Sequence, residues 1–217
     1  MEIIERDVER AWKKALQAIF TSGADFVDKD GRVCRELLNL SITLISLKKI
    51  TKPIEIINSS KEWIYPSLEE LESIMLSKDE NPGYYYTYGS RAFNFDGLDQ
   101  INDYVIPLLK KDTTSRRATI VFYNPKRDSV LFRKDIPSRI MMNFNLRQGE
   151  LHLTEVVRSN DLFFGWPADI FQAHVLQAHI AKKLGCKPGT ITTHSISAHI
   201  FKEQFEAIKK IIGNSES

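Results

Sequence analysis

Two acidic residues, Asp161 and Asp169, bracket the run LFFGWPA, and Arg158 and Ser159 stand just ahead of the first. An arginine guanidinium presents a planar fork of donors that matches a phosphate, and a neighbouring serine hydroxyl adds another. The same combination recurs at Ser115-Arg116-Arg117, and Arg35 sits where a loop gives way to an apolar segment. Together these groups could hold one phosphate dianion. Taken singly, each arginine reads as a solvated strand end. Asp161 reads as an acid favoured by a helix dipole, and Asp169 as a helix cap.

The elements that must position these side chains can be read from periodicity. Ile4, Val8, Trp12, Ala15, Leu16 and Ile19 recur at helical spacing and predict an amphipathic helix over 3–20 that stops near Gly23. GRVCRELLNLSITLISL predicts a strand after the DKDG turn, and SLEELESIML predicts a helix capped by Ser67. The Gly- and Tyr-rich GYYYTYGSRAFNF reads as a loop lining a site, and GLDQINDYVIPLLKK as a helix made irregular by Pro107.

RRATIVFYN and SVLFRKDIP read as strands around a turn at 125–128, followed by two strands joined at Arg147-Gln148-Gly149. WPADIFQAHVLQAHIAKKLGC predicts a long helix ended by Gly185, TITTHSISAHIF a strand and KEQFEAIKKII a last helix, with GNSES frayed. The class expected is α+β with a mostly antiparallel sheet.

The bulk numbers narrow the function. The 217 residues fit one domain over 1–217, with 42% hydrophobic and 27% charged residues, near globular averages. A formal charge of +2 with no basic block argues against nucleic acid as a partner. No 18-residue apolar run appears, so no membrane partner is expected. Cys34 and Cys186 have no metal or redox spacing and are expected as buried thiols in a reducing, cytoplasmic setting. His174 and His179 lie five apart with no third ligand evident, so no metal is expected.

The order SRR (115–117), RSND.F.G.P.DI (158–170) and AHIF (198–201) resembles the thymidylate synthase superfamily, which includes the pyrimidine-nucleotide hydroxymethylases. The resemblance covers residues 85–205 well and the N-terminal third more loosely. It implies a large kinked, mostly antiparallel sheet flanked by helices, and a homodimer packed sheet against sheet with shared active sites. A pyrimidine nucleoside monophosphate would then be the ligand. Arg35, Arg158 and Ser159 would bind its phosphate in their own subunit, while Arg116 and Arg117 would serve the neighbour. The resemblance further implies that Tyr88 of the YG motif contributes its hydroxyl to a water network that moves protons. Asp161 would meet the pterin of 5,10-methylenetetrahydrofolate, and His199 the sugar 3′-hydroxyl, although Phe201 lacks the hydroxyl that the family's tyrosine supplies there.

Two positions depart from the synthase pattern. Asp169 stands where synthases have asparagine. Because a carboxylate only accepts, it suits the amino group of cytosine, as in the (deoxy)cytidylate 5-hydroxymethylases. Ser138 stands where the family has the cysteine whose thiolate adds to pyrimidine carbon 6, and Arg139 follows where histidine is usual. Serine is a far weaker nucleophile, so an active enzyme is expected to carry cysteine there. The reading is folate-dependent 5-hydroxymethylation of CMP or dCMP, with Ser138 marking the nucleophile position. The alternatives are a thymidylate synthase acting on dUMP and a non-catalytic pyrimidine-nucleotide-binding dimer.

Overall fold

A computed structural model describes residues 1–80, 84–132 and 135–213. Its strands are β1 (Glu2–Glu5), β2 (Ala24–Val27), β3 (Val33–Leu44), β4 (Thr119–Val121), β5 (Arg139–Arg147), β6 (Glu150–Asp161) and β7 (Lys187–Phe201). Its helices are α1 (Val8–Ser22), α2 (Lys52–Ser59), α3 (Leu68–Leu76), α4 (Tyr88–Phe93), α5 (Ile106–Lys111), α6 (Pro125–Asp128), α7 (Gly165–Leu184) and α8 (Phe205–Gly213). The strand order is β1-β3-β7-β6-β5-β4, with β2 on β3. The sheet is mixed: β1 runs parallel to β3, whereas β2 with β3 and β4 with β5 are antiparallel. The class is α+β, as expected.

The chain divides into two compact units. The first comprises 1–65, 157–171 and 192–217. Its core gathers Trp12, Leu16 and Ile19 of α1, Leu40 and Ile42 of β3, and Ile57, Phe163 and Trp166. The second comprises 66–156 and 172–191, with Met75, Phe122, Phe144, Leu153, Leu176 and Ile180 buried. The two fully buried indoles are tied within the first unit, Trp12 Nε1 donating to the Leu162 carbonyl (2.7 Å) and Trp166 Nε1 to Thr193 Oγ1 (3.3 Å).

Several expectations are corrected. The first helix does not begin at residue 3: Glu2–Glu5 are held by β3, and Asp7 caps α1 by accepting from the Arg10 N–H (2.8 Å). Strand β2 was not foreseen. The tyrosine-rich stretch contains helix α4, because Thr87 and Ser90 satisfy each other's backbone N–H groups in a capping box; its first residue, Gly83, lies outside the described residues. Pro125–Asp128 form a helical turn, and no strand forms over 129–132, where Leu131 and Phe132 are 94% and 93% exposed; 133 and 134 lie outside the described residues. The irregularity before Pro107 is a π-helical turn over Gln100–Val105 leading into α5.

Ser67 caps α3 with Glu70 in a reciprocal box, and Gln148 and Gly149 take φ +50° and +79° in the turn joining β5 to β6. Gly185, at φ +70°, ends α7, and 214–217 lie outside the described residues. Among the described residues no helix is long and apolar enough to cross a membrane.

Candidate functional site

In the first unit, β6 ends at Asp161 and the chain turns sharply into α7 at Gly165. Asp161 organises that turn. Its Oδ1 accepts from the backbone N–H groups of Phe163 (2.9 Å) and Phe164 (3.0 Å), and its Oδ2 from Gln204 Nε2 (3.0 Å). Burial nevertheless pushes the Asp161 carboxyl above its ordinary range, against these hydrogen bonds and nearby His199. Burial also pulls the His199 imidazole down, with Asp161 opposing. The Leu162 N–H donates to the His199 carbonyl (2.9 Å), which fixes the strand end beside the turn.

Asp169 is not a helix cap. It lies inside α7, four residues beyond Gly165, and is half-buried. Tyr65 links the two aspartates: its ring stacks on Phe164 (4.4 Å between centroids, 7° between planes) and its hydroxyl donates to the Phe164 carbonyl. Burial, with the negative charges of Asp161 and Asp169, pushes this phenol well up. Asp161 thus lies within electrostatic reach of His199, and both aspartates within reach of Tyr65, a tyrosine that keeps its proton.

Arg158 and Ser159 lie on β6, both half-buried. Arg35, on β3, is engaged elsewhere: its Nη2 donates to Asp25 Oδ2 (3.0 Å), its Nε also meets Asp25, and its Nη1 donates to the Phe20 carbonyl (2.8 Å). The Asp25 hydrogen bond raises its guanidinium pKa further. To reach a phosphate, Arg35 would have to leave this grip.

In the second unit, Ser138 is half-buried immediately before β5. Arg139 is fully buried, and its Nε pairs with Glu155 Oε2 of β6 (2.7 Å), also fully buried. Its backbone N–H donates to the Tyr88 hydroxyl (3.2 Å), and its guanidinium lies 4.4 Å from the Tyr88 ring centroid. Tyr88 packs edge-on against Phe122 (5.4 Å). After Ser138, where the resemblance leads one to expect histidine, Arg139 instead forms a buried ion pair beside Tyr88. Arg116 and Arg117 precede β4 with exposed side chains, anchored through their backbone: the Arg117 carbonyl accepts from Tyr104 Oη (2.8 Å) and the Thr119 N–H (2.7 Å).

Neither cysteine presents a reactive thiolate. Cys34 is buried and Cys186 half-buried, both are free, and burial pushes both thiols up, away from the reactive thiolate. Sequence reasoning missed Tyr65, Gln204 and Glu155. A signal existed for Glu155, an acid at an inward position of an alternating strand. None existed for the other two, whose partners are remote in sequence.

Comparison with known proteins adds a second line. The sequence pattern described as Thymidylate synthase matches residues 33–217. A protein named "Putative thymidylate synthase" from Methanococcoides burtonii is 34% identical over 208 residues, covering 95% of this chain and 92% of the relative. One of the same name from Methanothermobacter marburgensis is 32% identical over 228 residues, covering 98% of each.

Proposed function

The chain belongs to the thymidylate synthase family, and from that premise we propose that it recognises a cytidine monophosphate, CMP or dCMP, at the position where the family modifies pyrimidine carbon 5. Enzymes of the family are one-carbon transferases of nucleotide biosynthesis. The observation that carries the narrower reading is Asp169, a half-buried carboxylate inside α7 rather than a cap. A carboxylate accepts from the amino group of cytosine, and from ring nitrogen 3 once that is protonated. The carbonyl oxygen that uracil presents at carbon 4 offers it no donor.

Arg158 and Ser159 hold the 5′-phosphate, joined by Arg35 when it leaves Asp25, and His199 meets the sugar. Arg116 and Arg117, exposed and backbone-anchored, serve a partner subunit in a homodimer. The Tyr88 hydroxyl accepts from the Arg139 N–H (3.2 Å), which places it beside the residue that follows Ser138.

Asp161 fits a folate. A carboxylate has about four lone-pair positions, and three bonds occupy it here, which leaves room for one donor of a pterin edge beside the Tyr65–Phe164 stack. When bound, 5,10-methylenetetrahydrofolate supplies the one-carbon unit. Ser138 holds the nucleophile's place, but its hydroxyl is too weakly acidic to add readily to carbon 6.

S138C is therefore expected to release tritium from a cytidine nucleotide labelled at carbon 5 when methylenetetrahydrofolate is present, at a rate orders of magnitude above that of the serine protein. If S138C releases none from CMP, dCMP or dUMP, the proposal of latent one-carbon chemistry fails. The names of the relatives favour a second reading, methylation of dUMP; release from dUMP alone would select it.

A further inference from the structure

At the C-terminal end of β7, His199 and Phe201 meet edge to face, with ring centroids 5.1 Å apart and planes at 80°. Phe201 offers no hydroxyl, yet its ring is not bare. The Arg32 guanidinium lies over it, with Cζ 4.1 Å from the centroid. That is close for a cation over an aromatic face, and the stack holds the guanidinium plane in place.

Arg32 belongs to the tight connection between β2 and β3, which is well braced. Its backbone N–H donates to Asp28 Oδ1 (2.9 Å), its Nε donates to Asp28 Oδ2 (2.9 Å), and its carbonyl accepts from the Asp28 N–H (2.9 Å). The Nε donor is thus spent. The terminal nitrogens make no hydrogen bond to the described residues, and the side chain is 50% exposed. A preorganised guanidinium with its outer donors open therefore stands one ring away from His199.

Resting on the nucleotide reading above, we infer that Arg32, stacked on Phe201, is a sugar-specificity residue that selects a ribonucleotide by donating two parallel N–H bonds to the 2′,3′-diol. A tyrosine hydroxyl could serve one sugar oxygen, whereas a guanidinium fork is matched to two adjacent acceptors. Deoxyribose presents only one of them. Because the fork is held by stacking and by Asp28, little further ordering is needed on binding, which favours a real difference in affinity.

The test is calorimetric titration of CMP and dCMP into the wild-type protein, R32A and R32K. The wild type should bind CMP tighter than dCMP by on the order of tenfold, the worth of one hydrogen bond to a charged group. Both variants should bring the ratio close to one, since lysine retains charge but loses the planar fork. Arg32 is exposed, so both variants should fold, and unchanged melting curves would confirm it. A ratio near one in the wild type, or a wild-type ratio that persists in R32A or R32K, overturns the inference alone. Equal weakening of both ligands also leaves the ratio unchanged, and would assign Arg32 to the phosphate. A wild type that binds no pyrimidine monophosphate overturns both this inference and the functional reading beneath it.

Discussion

Glu155 and Asp161 lie on the same strand, β6, yet the protein treats their charges in opposite ways. Glu155, in the second unit, is fully buried and meets the equally buried Arg139 at 2.7 Å. Asp161, in the first unit, accepts from two peptide N–H groups and an amide, and burial pushes its carboxyl up. A charge neutralised inside the fold holds a backbone in place. One satisfied only by neutral donors, with acceptor capacity left over, can still accept from something that arrives. The Arg139–Glu155 pair has the first character and Asp161 the second. On the proposed reading, the chain keeps acceptors for a ligand while Ser138 stands in place of the family's reactive sulfur.

The harshest way to break the contrast is to remove half of the buried pair. R139M should cost about 3–5 kcal/mol, because Glu155 is left as an uncompensated buried charge. The double variant R139M/E155L should regain most of that loss, and urea unfolding of both would show it. If R139M alone were neutral, the pair would not be what holds the start of β5.

A smaller effect, of opposite sign, is expected at Asp161. Its folded-state pKa is raised, so the native chain binds its proton more tightly than the unfolded chain does. The associated stability is present below the ordinary aspartate pKa of about 3.9 and is lost as pH rises through the higher folded value. D161N removes that loss. It should raise the melting temperature at neutral pH, with the gain fading as acid approaches the ordinary pKa. A D161N protein less stable than wild type at neutral pH would mean that its hydrogen bonds outweigh its burial.

How far the sequence revealed this layout depended on how local each cause was. Ser67, Gly185 and the Gln148-Gly149 turn act within a few residues, so the elements they start, end or join were readable. Helix α4 was hidden because tyrosines and glycine obscure periodicity, and the Thr87–Ser90 box rather than an apolar stripe sets it. Val130, Leu131 and Phe132 look like a strand, but strand propensity counts only where a partner is available, and these residues remain exposed. β1 exists only through parallel pairing with a distant strand.

The site divides along the same line. Arg158, Ser159, Asp161 and Asp169 sit in one short stretch, so they could be read together as candidates. The partnership of Arg139 with Glu155, the Tyr65 stack on Phe164 and the cover of Arg32 over Phe201 join residues far apart in the chain. Arg35 was legible as an arginine but not as one already held by Asp25.

The most direct test of the central claim is calorimetric titration of dCMP and dUMP into the wild-type protein and D169N. The wild type should favour dCMP by about a hundredfold, the scale on which an unpaired polar group at a base-reading position rejects a ligand. The asparagine variant, able to donate as well as accept, should shift the preference toward dUMP. A wild type that binds dUMP as tightly as dCMP, or a preference that D169N leaves untouched, would contradict the assignment of Asp169 to the base.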